Sequence, residues 1–321
     1  MPSLGALPSR FRRARVLVVG CGDVGLRTAA PLARRVRVLA LTSSPERVAG
    51  LRAAGLTPLL GQLDQPGTLS RLAGLSTRVL HLAPPPSVAA DVAGAGVGSA
   101  GPHQAAHTDP RTVALLRALN RRGHRLAVLV YGSTSGVYGD CAGAWVDETR
   151  PPAPATARAH RRWHAERQVR DWSRRGRQPA VVLRIPGIYA PDREGGTPRG
   201  RLLKGLPVLV PQDDVYTNHI HADDLARACG LALWRGARYR TVNVADDTEL
   251  KMGDYVDWAA DLYGLPRPDR VTREAAKDRV SPMVLSFMGE SRRLVNRRMK
   301  TELGLVLRYP TIEQGLRSMP Q

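Results

Sequence analysis

The run RVLVVGCGDVG at residues 15–25 constrains the fold of this chain more than any other feature. Four apolar residues lead directly into three glycines that are spaced as G-x-G-x-x-G. In a strand-to-helix turn of this kind, Gly20 permits the tight turn, Gly22 lets the backbone approach a pyrophosphate, and Gly25 lets the helix pack closely on the sheet. The run therefore predicts a strand, a dinucleotide-binding turn and a helix at 23–35. The alternative is a structural turn that binds nothing.

The first turn of this predicted helix supplies backbone N–H groups for phosphate binding. N–H groups at a helix N-terminus carry partial positive charge and have no partner within the helix. The candidate phosphate-binding residues are Gly20, Gly22, Asp23, Val24 and Gly25. Pro31 lies inside the predicted helix and is expected to kink it, because proline lacks the N–H donor that a helix interior needs.

Length, hydropathy and cysteine content set the broad class of the chain. Its 321 residues can form one large α/β domain or two ordinary ones. No run approaches the roughly eighteen consecutive apolar residues of a membrane span, so no membrane partner is expected. Residues 1–11 belong to a basic N-terminal stretch that has no long apolar core. This composition predicts a flexible leader at 1–11 rather than a signal peptide. Cys21, Cys141 and Cys229 are too few for a disulfide framework, and they indicate reduced thiols in a cytoplasmic protein.

The formal net charge of +20 raises the question of nucleic-acid binding, because basic surfaces attract phosphate. Only four of the 48 basic residues are lysines, and the arginines are scattered along the chain. A GC-rich coding bias would produce this skew without any selection for binding. No stretch interleaves aromatic with basic residues, as a groove for a single strand does. The sequence therefore predicts no nucleic-acid partner.

Short apolar segments alternate with helix-length segments along most of the chain. This alternation predicts a doubly wound parallel α/β sheet, whose ligands lie at the carboxyl ends of the strands. After the leader we expect a dinucleotide-binding domain at 12–191. A smaller C-terminal α/β region at 192–321 would cap the substrate cleft and return in part to the sheet. The predicted strands are 16–19, 36–41, 56–60, 79–83, 126–131, 180–185, 218–221 and 239–244. The predicted helices are 23–35, 111–120, 155–175, 222–234 and 253–263, and a mobile loop is predicted at 93–106.

Four motifs resemble those of a known family. STSGVYGD at 133–140 resembles the SSTGVYGD segment of extended short-chain dehydrogenases, and RIPGIYAP at 184–191 resembles their R-x-P-G-I-Y-G-P. NHIHADDLA at 218–226 resembles N-x-I-H-x-D-D-L-A, and residues 303–316 resemble the C-terminal pattern of the family. Together the motifs are similar to those of atypical short-chain dehydrogenases of the NAD-dependent epimerase/dehydratase type. The resemblance implies a Rossmann fold that binds NAD or NADP.

The resemblance also implies a catalytic hydroxyl, but it does not supply the usual proton donor. The serine or threonine that holds the substrate oxygen in this family falls on Thr134, with Ser135 as second choice. The family's Y-x-x-x-K is absent, because alignment on Glu166 places Arg158 at the tyrosine and Arg162 at the lysine. Arginine stays protonated near neutrality, so Arg162 is expected to position the cofactor rather than transfer a proton. The candidate catalytic residues are therefore Thr134, Ser135 and Arg162.

The missing tyrosine leaves the source of the proton open among Tyr138, a substrate group and a water in the cleft. His160 and His164 titrate near neutrality, but they lie on the helix face opposite Arg162 and are interpreted as solvated. The histidines and aspartates at 219–224 resemble a metal-binding cluster. Alternation along a strand, followed by an aspartate at a helix start, explains them without a metal, so no metal is predicted.

The end of the second strand indicates which dinucleotide binds. An acidic residue there would bind the ribose of NAD, whereas this chain has Thr42, Ser43 and Ser44, followed by Arg47. Hydroxyls and a guanidinium suit a 2′-phosphate, so NADP is favoured over NAD. The resemblance places Gln62 at the position where family members have an aspartate that contacts the edge of the adenine. The resemblance places three further residues beside the cofactor, namely Leu82, Ala83 and Pro186.

These features favour an NAD(P)-binding oxidoreductase or epimerase that acts on a small polar, sugar-like substrate. The alternative is a catalytically weak or inactive dinucleotide-binding protein that acts as a redox sensor or binds a partner. The missing tyrosine is the feature that separates the two. The resemblance also implies a homodimer. The residues after Pro191 do not identify the substrate.

Overall fold

The computed structural model describes residues 14–86, 106–120 and 125–318. The leader predicted at 1–11 lies outside these residues, as does all but the last residue of the loop predicted at 93–106. Within the described ranges, no helix is long and apolar enough to cross a membrane.

Strands and helices alternate along the chain, as the sequence predicts. The strands are β1 (Arg15–Val19), β2 (Arg37–Thr42), β3 (Thr57–Leu60), β4 (Arg78–His81), β5 (Val128–Thr134), β6 (Trp145–Val146), β7 (Ala180–Ile185), β8 (Gly187–Tyr189), β9 (Val208–Leu209), β10 (Tyr216–Thr217), β11 (His219–His221), β12 (Arg240–Asn243), β13 (Leu250–Lys251), β14 (Arg270–Val271) and β15 (Arg293–Leu294). The helices are α1 (Asp23–Ala33), α2 (Arg47–Ala53), α3 (Pro110–Leu119), α4 (Ala157–Gly176), α5 (Arg199–Leu203), α6 (Ala222–Arg235), α7 (Met252–Tyr263), α8 (Arg273–Ala276), α9 (Pro282–Phe287), α10 (Arg297–Thr301) and α11 (Ile312–Arg317).

Seven of the described strands form one parallel sheet, in the order β12–β7–β5–β4–β1–β2–β3. The predicted doubly wound parallel fold is therefore confirmed. The strand order reverses between β1 and β4, where Val18 lies opposite Leu80. In open α/β sheets, ligands bind outside the carboxyl ends of the strands at such a switch point. The last strand of the sheet, β12, comes from the C-terminal region and pairs with β7.

Alternation along β1 separates the two core layers that cover the sheet. Val16 and Val18 belong to the layer under α1 and α6, whereas Leu17 and Val19 belong to the layer under α3 and α4. This period of two is what a strand that is buried on both faces requires. The glycine turn that follows β1 is thus held by a strand whose last four residues are buried.

The predicted elements occur with their bounds shifted by a few residues. The largest shift is in β5, which was predicted at 126–131 and extends to Thr134. Helix α1 continues through Pro31 and ends two residues later. The two-residue strands were not predicted, because each of them forms only by pairing with a segment that is distant in the sequence. One of these pairings, between β15 and β6, places Arg293 opposite Trp145.

Candidate functional site

Each glycine in the turn between β1 and α1 has its own steric role. Gly20 has φ +86°, and a Cβ there would lie 2.3 Å from the backbone nitrogen of Ala83. A Cβ at Gly25 would lie 2.7 Å from the carbonyl oxygen of Gly20, so α1 packs directly on the turn. A Cβ at Gly22, in contrast, would meet no atom within 4 Å. Gly22 therefore borders open space, which the close approach of a pyrophosphate requires.

A cavity of about 510 Å³ opens beside this turn, at the carboxyl ends of β1 to β4. This volume lies within the range of small-molecule sites, roughly 300–1,000 Å³. Of the thirteen predicted cofactor-binding residues, nine line the cavity: Gly20, Gly22, Thr42, Ser43, Ser44, Arg47, Gln62, Leu82 and Ala83. The other four, Asp23, Val24, Gly25 and Pro186, are not part of its lining.

The side chains at the start of α1 are engaged with the protein itself. Asp23 forms ion pairs with Arg27, at 2.8 Å, and with Arg193, at 3.3 Å. Val24 packs against the hydrophobic core, and Gly25 is buried. The first turn of α1 therefore offers a ligand its backbone N–H groups rather than its side chains, which suits an anion.

The turn after β2 forms one wall of the cavity. Thr42 Oγ1 accepts a hydrogen bond from the backbone N–H of Ser44, at 3.2 Å, and Ser43 is exposed. Arg47 Nη2 donates to the carbonyl oxygen of Cys21, at 2.5 Å, so the guanidinium lies across the glycine turn. Burial raises the pKa of the Cys21 thiol, which keeps the sulfur protonated and unreactive.

Two charged residues of the cavity were missed by the sequence analysis. Arg111, in α3, donates from Nε and Nη2 to the two carboxylate oxygens of Asp64, at 2.7 Å and 2.6 Å. Both residues line the cavity near Gln62. They are 47 positions apart in the sequence, and no local pattern pairs them.

The predicted hydroxyls lie at the end of β5. Thr134 Oγ1 accepts a hydrogen bond from the backbone N–H of Gly136, at 3.2 Å, and thereby caps the 3₁₀ turn Ser135–Tyr138. Ser135 is buried. The Thr134 hydroxyl hydrogen stays available as a donor, because this contact uses only the oxygen.

Arg162 lies beneath the ends of β4 and β5. Its Nη1 donates to the carbonyl oxygen of Gly132, at 2.8 Å, and to the Tyr131 hydroxyl, at 3.3 Å. The carbonyl oxygen of Ala83, whose residue lines the cavity, is 3.5 Å from the same nitrogen. Burial raises the pKa of Tyr131 to about 12, so this tyrosine, which the sequence analysis missed, is a poor proton donor near neutrality.

Tyr138 is not accessible as a proton donor. Its side chain is fully buried, and its hydroxyl donates to Asn243 Oδ1 at 2.8 Å. Burial also raises the pKa of Tyr138. Of the three sources of a proton that the sequence left open, a substrate group and a water remain.

The two histidines of α4 differ from the prediction of solvated rings. His164 is half-buried, and its Nδ1 accepts a hydrogen bond from the backbone N–H of Asp109, at 3.0 Å. His160 stacks on His107, with 4.3 Å between ring centroids. Burial lowers the pKa of both α4 histidines, so they are mainly neutral near pH 7.

The histidines of β11 pack among aromatic rings. His219 lies 4.6 Å from Tyr255, and His221 lies 3.8 Å from Tyr309, measured between ring centroids. His221 also caps α6, because its Nδ1 accepts from the backbone N–H of Asp223. In the part of the chain that the structure describes, no group of histidine, cysteine or acidic residues could hold a metal ion.

The glycine turn, the switch-point cavity and the parallel sheet define a Rossmann-type nucleotide-binding protein. The chain belongs to the NAD-dependent epimerase/dehydratase family, whose sequence model matches residues 16–245. The resemblance drawn from the motifs is therefore confirmed. No curated protein matches the sequence.

Solved structures resemble the chain over nearly its whole length. A functionally unknown conserved protein from Silicibacter pomeroyi DSS is 30% identical, with a TM-score of 0.77, and the match covers 95% of this chain and 97% of that one. UDP-glucose 4-epimerase from Thermotoga maritima, solved with UDP-glucose, is 18% identical, with a TM-score of 0.74 and coverage of 94% and 96%. UDP-glucose 4-epimerase from Thermus thermophilus, solved with NAD, is 23% identical, with a TM-score of 0.69 and coverage of 94% and 96%.

Proposed function

We propose that this protein is an NADP-dependent oxidoreductase or epimerase that acts on a small polar substrate. The observation that carries the proposal is the cavity at the switch point, which the glycine turn borders on one side and Arg47 on the other. Family membership and the NAD named for the Thermus enzyme support a nicotinamide dinucleotide. Family membership also favours an enzyme over a binding protein without turnover.

The residues of the cavity suit such a cofactor. The open space at Gly22 and the backbone N–H groups of α1 would receive the pyrophosphate. Ser43, Ser44 and Arg47 would hold a 2′-phosphate, for which a guanidinium is the best-matched side chain. Gln62 would contact the adenine edge. Asp23, Val24, Gly25, Leu82, Ala83 and Pro186 would shape the rest of the cofactor site.

A bound nicotinamide dinucleotide would supply hydride-transfer chemistry at the substrate carbon that bears the oxygen. Thr134 would donate a hydrogen bond to the substrate oxygen, with Ser135 as the second candidate. Arg162 would hold the cofactor and would not move a proton, because its guanidinium stays charged near neutrality. The proton on the substrate oxygen would exchange with a water or with another substrate group, since Tyr138 is buried.

Native mass spectrometry of the purified protein tests the cofactor directly. We expect NADP or NADPH to co-purify, and the variant Gly22→Val to carry none. A protein that binds neither dinucleotide, even after incubation with both, would remove the proposal.

The oligomeric state and the compartment are further proposals. Two grooves lie along α3 and α4 and share Val113 and Arg117; Ala114 lines one groove and Trp172 the other. This surface would form the interface of a homodimer. Light scattering on the purified protein tests this. The three buried, free cysteines suit the reducing cytoplasm.

A further inference from the structure

We propose that the substrate carries an anionic group, a carboxylate or a phosphate, that binds among Arg158, Arg161 and Arg162 at the start of α4. This inference rests on the proposed function, because it assigns the substrate of that site. Its test measures anion binding and needs no turnover.

The first turns of α4 lie against the turn that carries the candidate hydroxyls. Thr156 caps the helix by accepting a hydrogen bond from the Ala159 N–H, at 3.2 Å. A Cβ at Gly136 would lie 3.8 Å from the Cβ of Ala159, so the helix start contacts the Ser135–Tyr138 turn. Arg158 is adjacent to Ala159. Arg161 and Arg162 follow Arg158 by three and four positions, so they lie on the same side of the helix. The three arginines therefore lie together on the first turns of α4, close enough to interact electrostatically and next to the turn that Thr134 caps.

None of the three arginines forms an ion pair with an acidic side chain among the described residues. Arg162 donates to carbonyl and hydroxyl oxygens, which are neutral acceptors. Arg158 packs on the Phe287 ring, with 4.5 Å between the guanidinium carbon and the ring centroid. Further along the same helix, Arg170 does have a partner and pairs with Glu166 at 3.1 Å. In the part of the chain that the structure describes, the start of α4 therefore concentrates three guanidinium groups without an ion pair.

Arg161 is the most deeply buried of the three arginines. Its side chain is 6% exposed, its Nη1 donates to the Ala106 carbonyl oxygen at 3.0 Å, and its buried Nε has no hydrogen-bond partner. A buried charge without a counter-charge is costly, so an anion bound nearby would offset that cost. Guanidinium groups bind carboxylates and phosphates through paired, charge-assisted hydrogen bonds.

The facing wall neutralises this charge only in part. Glu290 attracts Arg158 electrostatically, but its carboxylate already pairs with Arg292 at 2.8 Å. Arg292 Nη1 also donates to the Gly139 carbonyl oxygen at 2.7 Å, which fixes this wall against the Ser135–Tyr138 turn. Partial burial is the main cause that lowers the pKa of Arg158; Glu290 raises it, and the neighbouring arginines lower it further.

Isothermal titration calorimetry tests the proposal with inorganic phosphate and with malonate as probes. Each probe is titrated at low ionic strength into protein saturated with NADP⁺, so that the glycine turn is occupied. We expect saturable binding of at least one anion. Tighter binding of phosphate would indicate that the substrate carries a phosphate, and tighter binding of malonate would indicate a carboxylate. Erythritol, a neutral probe, should not bind.

Two variants locate the site. Arg158→Met and Arg161→Met should each weaken anion binding about tenfold or more, because a charged hydrogen bond is lost. Arg167→Met, at an exposed position on the same helix, should leave anion binding unchanged. Arg158 is itself exposed, so its variant should fold even if Arg161→Met does not. Absence of saturable anion binding, or binding that Arg158→Met leaves unchanged, overturns the proposal.

Failure of the cofactor proposal is a separate outcome. If NADP⁺ does not bind, the anion titrations are repeated on Gly22→Val, in which the valine obstructs the glycine turn. Anion binding that survives there and depends on Arg158 supports the anion site alone. Anion binding that disappears in Gly22→Val shows that the anion had bound at the glycine turn and overturns the inference.

Discussion

Glu166 and Arg184 form a buried ion pair directly behind the turn that carries Thr134. The distance from Arg184 Nη2 to Glu166 Oε2 is 2.9 Å, and the distance from Nε to Oε1 is 3.1 Å. Ser133 donates to the same carboxylate at 2.7 Å. Through these contacts α4 is fastened to β5 and β7, and the candidate site is held from behind.

Loss of this pair should destabilise the protein strongly. Glu166→Gln should lower the free energy of unfolding by about 3–5 kcal/mol, because it leaves the buried Arg184 without its counter-charge. Urea denaturation measures the change. Glu313→Gln, which removes an exposed pair with Arg317, should cost less than about 1 kcal/mol. Equal losses in the two variants would contradict the role of the buried pair.

Gly22→Val should abolish dinucleotide binding while leaving the fold intact. The backbone at Gly22 is extended, with φ −75° and ψ −155°, so valine fits the conformation and extends only into the cavity. Calorimetry with NADP⁺ and a melting curve check both parts. Gly200→Val is the matched control, because a Cβ there also meets no atom within 4 Å. Gly25→Val, in contrast, should lower the melting temperature, since its Cβ would collide with the Gly20 carbonyl oxygen.

Arg47→Leu should separate the two dinucleotides. Loss of a charged hydrogen bond to the 2′-phosphate should weaken NADP⁺ binding about tenfold or more and leave NAD⁺ binding nearly unchanged. Arg52→Leu, on the exposed face of the same helix, should affect neither. Tighter binding of NAD⁺ than of NADP⁺ by the unaltered protein would show that the argument from hydroxyls and arginine is wrong.

The protein should be a slow catalyst on the sugar nucleotides that its structural relatives bind. A positioned proton donor contributes about 10²–10⁴-fold, and Arg158 cannot take that role. Absorbance of the reduced cofactor measures turnover on a sugar-nucleotide panel. Thr134→Val should abolish whatever activity is found, and Thr134→Ser should preserve it. Brisk turnover with a bell-shaped pH profile that His164→Ala removes would contradict this assignment.

Asp246 should make stability depend on pH. Burial raises its pKa to about 7, above the value of about 3.9 expected in the unfolded chain. Between these values the native state holds the additional proton, so stability falls as pH rises, by at most about 1.4 kcal/mol per pH unit. Asp246→Asn should remove this fall in melting curves recorded from pH 4 to 7.5.

His219 opposes Asp246 over part of this range. Burial lowers its pKa to about 4, below the value of about 6.5 in the unfolded chain, so its contribution to stability rises with pH between those values. The difference between the unaltered protein and Asp246→Asn isolates the carboxyl from this effect. A difference that does not change with pH would mean that Asp246 titrates normally in the folded protein.

Short-range patterns were sufficient to predict the fold and the position of the cavity at the switch point. The roles of Gly20, Gly22 and Gly25 follow from backbone geometry within one turn, and the period of two in β1 follows from burial on both faces. Nine predicted cofactor residues line one cavity, because the carboxyl ends of parallel strands meet at one edge of the sheet.

Only the tertiary structure decided which charges are paired. Arg111 meets Asp64 across 47 residues, and Arg292 meets the Gly139 carbonyl oxygen across 153. Tyr138 could not be excluded as a proton donor until its burial was known. Likewise, Arg158, Arg161 and Arg162 could be seen to lack an ion pair among the described residues only once their neighbours were known. The physical reason is that periodicity and turn geometry are local properties of the chain. Burial and ion pairing depend on segments that meet only after the chain has folded.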